Sequence, residues 1–345
     1  MKLACFGLFL SSMAAAVRGQ NLAEVIGNNT DLSTLSAAIQ TAGLTDAVST
    51  EDLTLFAPNN DAFSLLDPNV VTALMMPEYL YHLRTLLYEH AVEGTILSSN
   101  ITDGETVDSL SGPLTFSVTD KGVFVSGSAF NNSEVVEADI LADNGVVHVV
   151  DQVFLPKVLV QNTWQNLEDV TEGFDVLKEY LISTGLDAAL EGSDPLTILA
   201  PTDEVFAGIS QEELDSLNMT EVLLNHALPG LFPTNLLTDG MSVTTALGNT
   251  YTVSVSGDSY SIGGVPLVAP NYPSLNGIAH IVSGLLLPTA EGEAPVAPPV
   301  LAPVASPTEG DAPTVAAEPT DAPSSAASVG TFMTMAAMIA TTLLW

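Results

Sequence analysis

The sequence predicts an α+β fold built twice in tandem, and three observations predict it. A turn-and-strand segment, Asn144 to Pro156, returns without a gap as Asn276 to Pro288. A second block, Leu53 to Phe63, returns as Leu196 to Phe206. Before each closing segment the apolar residues recur first at helical spacing and then at alternate positions, so helices precede strands in both halves. Self-similarity of this kind marks a duplicated module. A chain of 345 residues with 47% apolar content can fill two cores and still carry tails.

Each element follows from its residues. Met1-Lys2 and the apolar run Leu3 to Val17, with Ala14 and Ala16 set for cleavage, read as a secretory leader over 1–19. The first module, 20–158, opens with Leu32, Leu35, Ile39 and Ala42 at helical spacing, closed by Gly43 and Leu44 as a C-cap with its apolar clasp. The second, 159–290, repeats this with Phe174, Leu177, Leu181, Gly185 and Leu186. Thr54 to Phe63 and Thr197 to Phe206 read as a buried strand stopped by Pro58 or Pro201, then a helix capped by Asn59 or Thr202 with acids in its first turn. Further helices are expected over Glu78 to Ala91 and Gln211 to Ala227. The period then falls to two, with a hairpin turning at Asp120-Lys121-Gly122 and another at Gly257-Asp258. Asn-Gly, a β-branched run and Pro make Asn144 to Pro156 and its copy a turn, a buried strand and a stop.

The tail differs in kind. The segment 291–325 is rich in Pro, Ala, Thr and acids without an apolar period, so it reads as a disordered stalk. About 35 residues at about 3 Å each would span on the order of 100 Å. The apolar 326–345, with no basic residue after it and small residues before it, matches a signal for glycosylphosphatidylinositol addition at Ser324 or Ser325; a short spanning helix is its rival.

Charge and motifs narrow the function. Six basic residues stand against 41 acidic ones, giving a net charge of −35, so nucleic acid would be repelled. Cations, basic proteins and neutral glycans remain as partners. The one cysteine, Cys5, lies in the leader, so the mature chain would have no disulfide, thiol nucleophile or thiolate metal site. Asn28, Asn100, Asn131 and Asn218 head N-x-[ST] sequons, which with a leader predict N-glycosylation. No zinc-protease, serine-hydrolase, phosphate-loop or EF-hand pattern occurs, so neither a cofactor nor an enzymatic activity is expected.

The remaining polar candidates read as structural. His148 and Asp151 lie three apart on a strand and point to opposite faces, and the second copy has Ser283 in place of the acid. His148 and His280, flanked by apolar residues, read as hydrogen-bonded core histidines. His90 and His226, at helix ends, read as caps on backbone carbonyls. The acid pairs Asp103 with Glu105 and Asp203 with Glu204 offer too few oxygens for a cage and read as surface solvation, leaving only weak, diffuse calcium attraction.

These blocks, in this order and occurring twice, resemble the fasciclin domain family: Thr54 to Phe63, Tyr88-Glu89-His90 and Asn144 to Pro156, then Thr197 to Phe206, Asn225-His226 and Asn276 to Pro288. The resemblance covers roughly residues 21–289. It implies a helical layer on a twisted β-wedge in each domain, and adhesion or matrix roles on lipid-anchored chains. The partners implied are extracellular matrix or cell-surface proteins and glycans; the tandem repeat, stalk and tail lead us to expect avidity, from two weak contacts per chain multiplied over many chains. The alternative is a non-adhesive acidic matrix protein binding cations or polysaccharide. Family members often place Tyr immediately before the helix-end His, where this chain has Glu89 and Asn225; the ring's packing role is expected to pass to Tyr88 and Leu224.

Overall fold

A computed structural model describes residues 19–288. Apart from Gly19, the leader lies outside the described residues, as do the stalk, the apolar tail, Ser324 and Ser325. Two units follow one another, each a helical layer against a seven-stranded, barrel-like sheet. The first sheet contains β1 Leu53–Pro58, β2 Ala91–Glu93, β3 Thr106–Asp108, β4 Pro113–Val118, β5 Val123–Ser126, β6 Ser133–Ala142 and β7 Gly145–Val150, in the order β2-β1-β7-β6-β5-β4-β3. The second contains β8 Leu196–Pro201, β9 Ala227–Pro229, β10 Ser242–Thr244, β11 Thr250–Ser256, β12 Ser259–Ile262, β13 Val265–Ser274 and β14 Gly277–Val282, in the order β10-β11-β12-β13-β14-β8-β9.

The two duplicated blocks form the hinge of each sheet. β1 pairs in parallel with β7, and β8 with β14, while every other pairing is antiparallel. Parallel strands need a long crossover, and here the other strands and the helices of the unit supply it. Asn144 makes the junction rigid: its oxygen accepts from the Leu22 N–H, and its Nδ2 donates to the carbonyls of Val48 and Glu51. Asn276 repeats this with Thr163, Leu190 and Gly192. Gly145 and Gly277 follow because a Cβ would stand 1.9 Å from the Leu53 carbonyl oxygen and 2.5 Å from that of Leu196.

The helix ends obey the expected chemistry in most places. Gly43 and Gly185 adopt φ of 67° and 71°, and Leu44 and Leu186 donate back to Ile39 and Leu181. Asn59 caps its helix by accepting from the Ala62 N–H. Three expectations need correction. Thr202 makes no side-chain cap. The helix expected over Gln211 to Ala227 is two, Gln211–Ser216 and Met219–Asn225, because Leu217 is extended and the polar Ser216 and Asn218 bond locally to Glu213 and Glu221 instead. Glu78 to Ala91 starts as a 3₁₀ turn, becomes α-helical only over Leu80–Glu89, and gives up Ala91 to β2.

Candidate functional site

All five histidines are at most 3% exposed, and in four of them the main chain dictates the tautomer. A backbone N–H only donates and a carbonyl only accepts, so the ring must supply the complement. His90 donates from Nδ1 to the Leu86 carbonyl and accepts at Nε2 from the Phe154 N–H, both at 2.8 Å. His226 does the same with Val222 and Leu286. Each therefore ties a helix end to the segment that follows the closing strand. His148 accepts at Nδ1 from the Asp139 N–H and donates from Nε2 to the Ile96 carbonyl; His280 repeats this with Asn271 and Phe232. Asp139 and Asn271, at φ of 60° and 71°, lie where the register of β6 and β13 shifts, so these rings hold the two bulges. Burial pushes every one of these imidazoles below its usual value, His90 and His280 to about 4. Neutral rings with both nitrogens engaged do not act as acid-base groups at neutral pH.

The other predicted positions are also placed. Thr54 donates to the Gly94 carbonyl and accepts from Ile96; Thr197 does so with Gly230 and Phe232. Pro58 and Pro201 end their strands, and Phe63 and Phe206 are buried in the helical layers. Asp151 accepts from Ser133 and Glu134, away from His148. The acid pairs need correction, because three of their four carboxylates bind backbone N–H groups rather than only water. Asp103 holds Val118, Glu105 holds Thr102, and Asp203 holds the first turn of the helix Asp175–Thr184. Among the described residues no group of three or more His, Cys, Asp or Glu converges as metal ligands. Asn28, Asn100, Asn131 and Asn218 are all exposed.

Tyr88 and Leu224 do not take over the missing ring's packing, since both stay partly exposed. In the second unit that space is filled from β11: Asn225 donates to the Tyr251 hydroxyl and accepts from Thr245 and Asn249. Strand register puts Leu114 at the matching place in the first unit. Glu89 thus sits 1% exposed with neither oxygen in hydrogen-bond geometry, and burial raises its carboxyl above the ordinary range, the Ser111 hydroxyl offsetting part of the rise.

His82 is the residue that reading by motif passes over. It projects from the helix Leu80–Glu89 into the second unit, where Nε2 faces the carbonyl oxygens of Ser274 at 3.0 Å and Gly277 at 3.2 Å. Tyr81 bonds Thr234 and Asn235 bonds the Pro77 carbonyl across the same face. The short helix Lys157–Val160 joins the units, and Gln161 accepts from the Leu275 N–H. Beside this junction a cavity of about 780 Å³ opens between the helical layer and the sheet of the second unit, with Thr85, Tyr88, Leu110 and Ser111 of the first among its lining residues.

The sequence matches the Fasciclin domain over residues 30–156 and again over 172–288. The chain belongs to the fasciclin domain family. Its fasciclin units are 29% identical over 243 residues to transforming growth factor-beta-induced protein ig-h3 of Sus scrofa, an alignment covering 68% of this chain and 34% of that protein. The chain thus spans about a third of that relative's length. Fasciclin-like arabinogalactan protein CTB11 of Cercospora beticola is 28% identical over 313 residues, covering 83% of this chain and 80% of that one. Among solved structures, the FAS1 domain pair of the insect cell adhesion molecule Fasciclin I aligns with a TM-score of 0.40 and 19% identity, over 74% of this chain and 96% of that one. Among the described residues of the fasciclin pair, no helix is long and apolar enough to cross a membrane.

Proposed function

We propose that this chain is an N-glycosylated cell-surface protein that mediates cell-cell or cell-matrix adhesion, held to the plasma membrane by a lipid anchor and acting without catalysis. The observation that carries the reading is the buried junction at His82, which makes two fasciclin units one two-headed body. The exposed sequons of both units and the stalk-like composition of 291–325 support an extracellular setting. Two weak contacts on one body, repeated over many copies on a membrane, give firm attachment without a tight single site. Partners of this kind are matrix or cell-surface proteins and glycans.

The test is adhesion of cells expressing the full chain to matrix-coated surfaces and to one another, with and without phosphatidylinositol-specific phospholipase. Adhesion above that of parent cells, lost when the enzyme releases the protein, is the expected result. Equal adhesion of expressing and parent cells would end the proposal.

A further inference from the structure

The two units differ most where they should be most alike. The capping boxes at Asn21 with Glu24 and at Asn162 with Gln165 align the helices Leu22–Asn28 and Thr163–Asp169 residue by residue. Leu22 and Val25, which fill the first core, thereby correspond to Thr163 and Asn166. The closing strands align Val147, fully buried, with Ala279. Thr163, Asn166 and Ala279 all line the cavity of about 780 Å³, whereas Leu22, Val25 and Val147 are buried in the packed core of the first unit.

A core selected only for stability would keep the large apolar side chains. Putting Asn for Val against a core is destabilising when its polar atoms go unpaired. Here they do go unpaired on one side: Asn166 Nδ2 donates to the Val158 carbonyl, but its oxygen finds no donor in the protein, and neither does the side-chain oxygen of Gln161, another wall residue. Both oxygens are shut away from solvent. Its exposed wall is mixed: Leu110, Val158, Val170 and Tyr272 line it while 38–52% exposed, beside Ser111 and the ion pair of Lys157 with Asp169. A hollow of this volume, apolar walls and a few placed polar groups is the usual form of a small-molecule site.

We propose that this cavity binds a neutral, hydroxylated apolar molecule of the size of a sterol or long-chain alcohol. The apolar body lies against Leu167, Leu177, Ile198 and Ile281, and its hydroxyl donates to the Asn166 or Gln161 oxygen after a small side-chain rotation. Acceptor oxygens without a donor reject a carboxylate, and the net charge of −35 repels anions generally. The walls therefore select the alcohol over the fatty acid of equal length.

The test uses the purified full chain with the fluorescent sterol dehydroergosterol, 1-hexadecanol and hexadecanoate, read by sterol fluorescence, by displacement and by emission of the buried Trp164. Saturable one-to-one binding of the sterol and displacement by the alcohol are expected, with the acid at least tenfold weaker. Ala279→Phe projects a ring into the cavity from its sheet wall and should weaken sterol binding at least tenfold. Asn166→Val restores the first unit's residue and should weaken alcohol binding about tenfold while raising the melting temperature, which separates lost binding from lost folding. Absence of saturable binding, equal binding of acid and alcohol, or binding unmoved by Ala279→Phe in a folded protein each overturns the proposal. So does binding that appears only after the C-terminal apolar tail is removed, because the tail would then be the occupant.

Discussion

His82 of the first unit donates its Nε2–H to the Ser274 carbonyl oxygen of the second, 3.0 Å away, while its Nδ1 is buried without a partner. Burial lowers this imidazole from 6.5 to about 4. A folded value below the unfolded one means that the unfolded state binds the extra proton first. The stabilisation is therefore complete above pH 6.5 and is lost as pH falls toward 4. Small-angle scattering should show the pair lengthening over that window. His82→Ala, which removes the buried contact to the Ser274 and Gly277 carbonyls, should split one calorimetric transition into two at neutral pH.

The clamps at His90 and His226 should be the most sensitive side chains within each unit. His90→Ala leaves the Phe154 N–H without an acceptor and opens the space against which the Phe154 ring stacks at 4.7 Å. His226→Ala does the same to the Leu286 N–H. We expect each to lose about 2–4 kcal/mol in urea unfolding, combining an unpaired buried group with a cavity. His226→Ala in particular should lower the second unit's midpoint and leave the first unit's clamp intact.

Gly145→Ala and Gly277→Ala are expected to prevent folding of the unit that carries them. The obstacle in both is a carbonyl oxygen of the parallel partner strand, fixed by the ladder and unable to move aside. Circular dichroism of either variant should show the loss, and soluble protein with a native melting profile would contradict it.

Much of this was legible beforehand, and the reasons differ by element. The strand-to-helix blocks, the glycine caps and the helix-end histidines could be read because each is set by neighbours in sequence, and the duplication showed every signal twice. His82 could not, since nothing repeats it: counting back from the clamps at His90 and His226, its counterpart is Asn218. What would have marked it is that asymmetry, a histidine among the apolar residues of a helix whose copy has a sequon. The replacement of the missing ring by Tyr251 was hidden because it comes from a distant strand. The structural use of Asp103, Glu105 and Asp203 was hidden for the same reason, as a carboxylate's backbone partner is chosen by tertiary placement rather than composition.

Glu89 offers a variant that should stabilise. Its folded value is raised, so its contribution is fullest below the ordinary carboxylate value of 4.5 and is lost as pH rises through the folded value. Ionising this side chain is costly, because it is buried with neither oxygen in hydrogen-bond geometry. Glu89→Gln should raise stability at pH 7 by about 1–2 kcal/mol and give nothing below pH 4. Thermal melts at the two pH values decide it, and equal gains at both would refute the assignment.

The match between His82 and Asn218 also bears on how far such docking can propagate. A head-to-tail contact is heterologous, and when its rotation does not close, it adds subunits without end. The second unit's own helix face, which would receive the next molecule in line, presents Asn218 where the first presents its buried imidazole. A sugar attached there would leave no room for another head, so the stack would terminate at two.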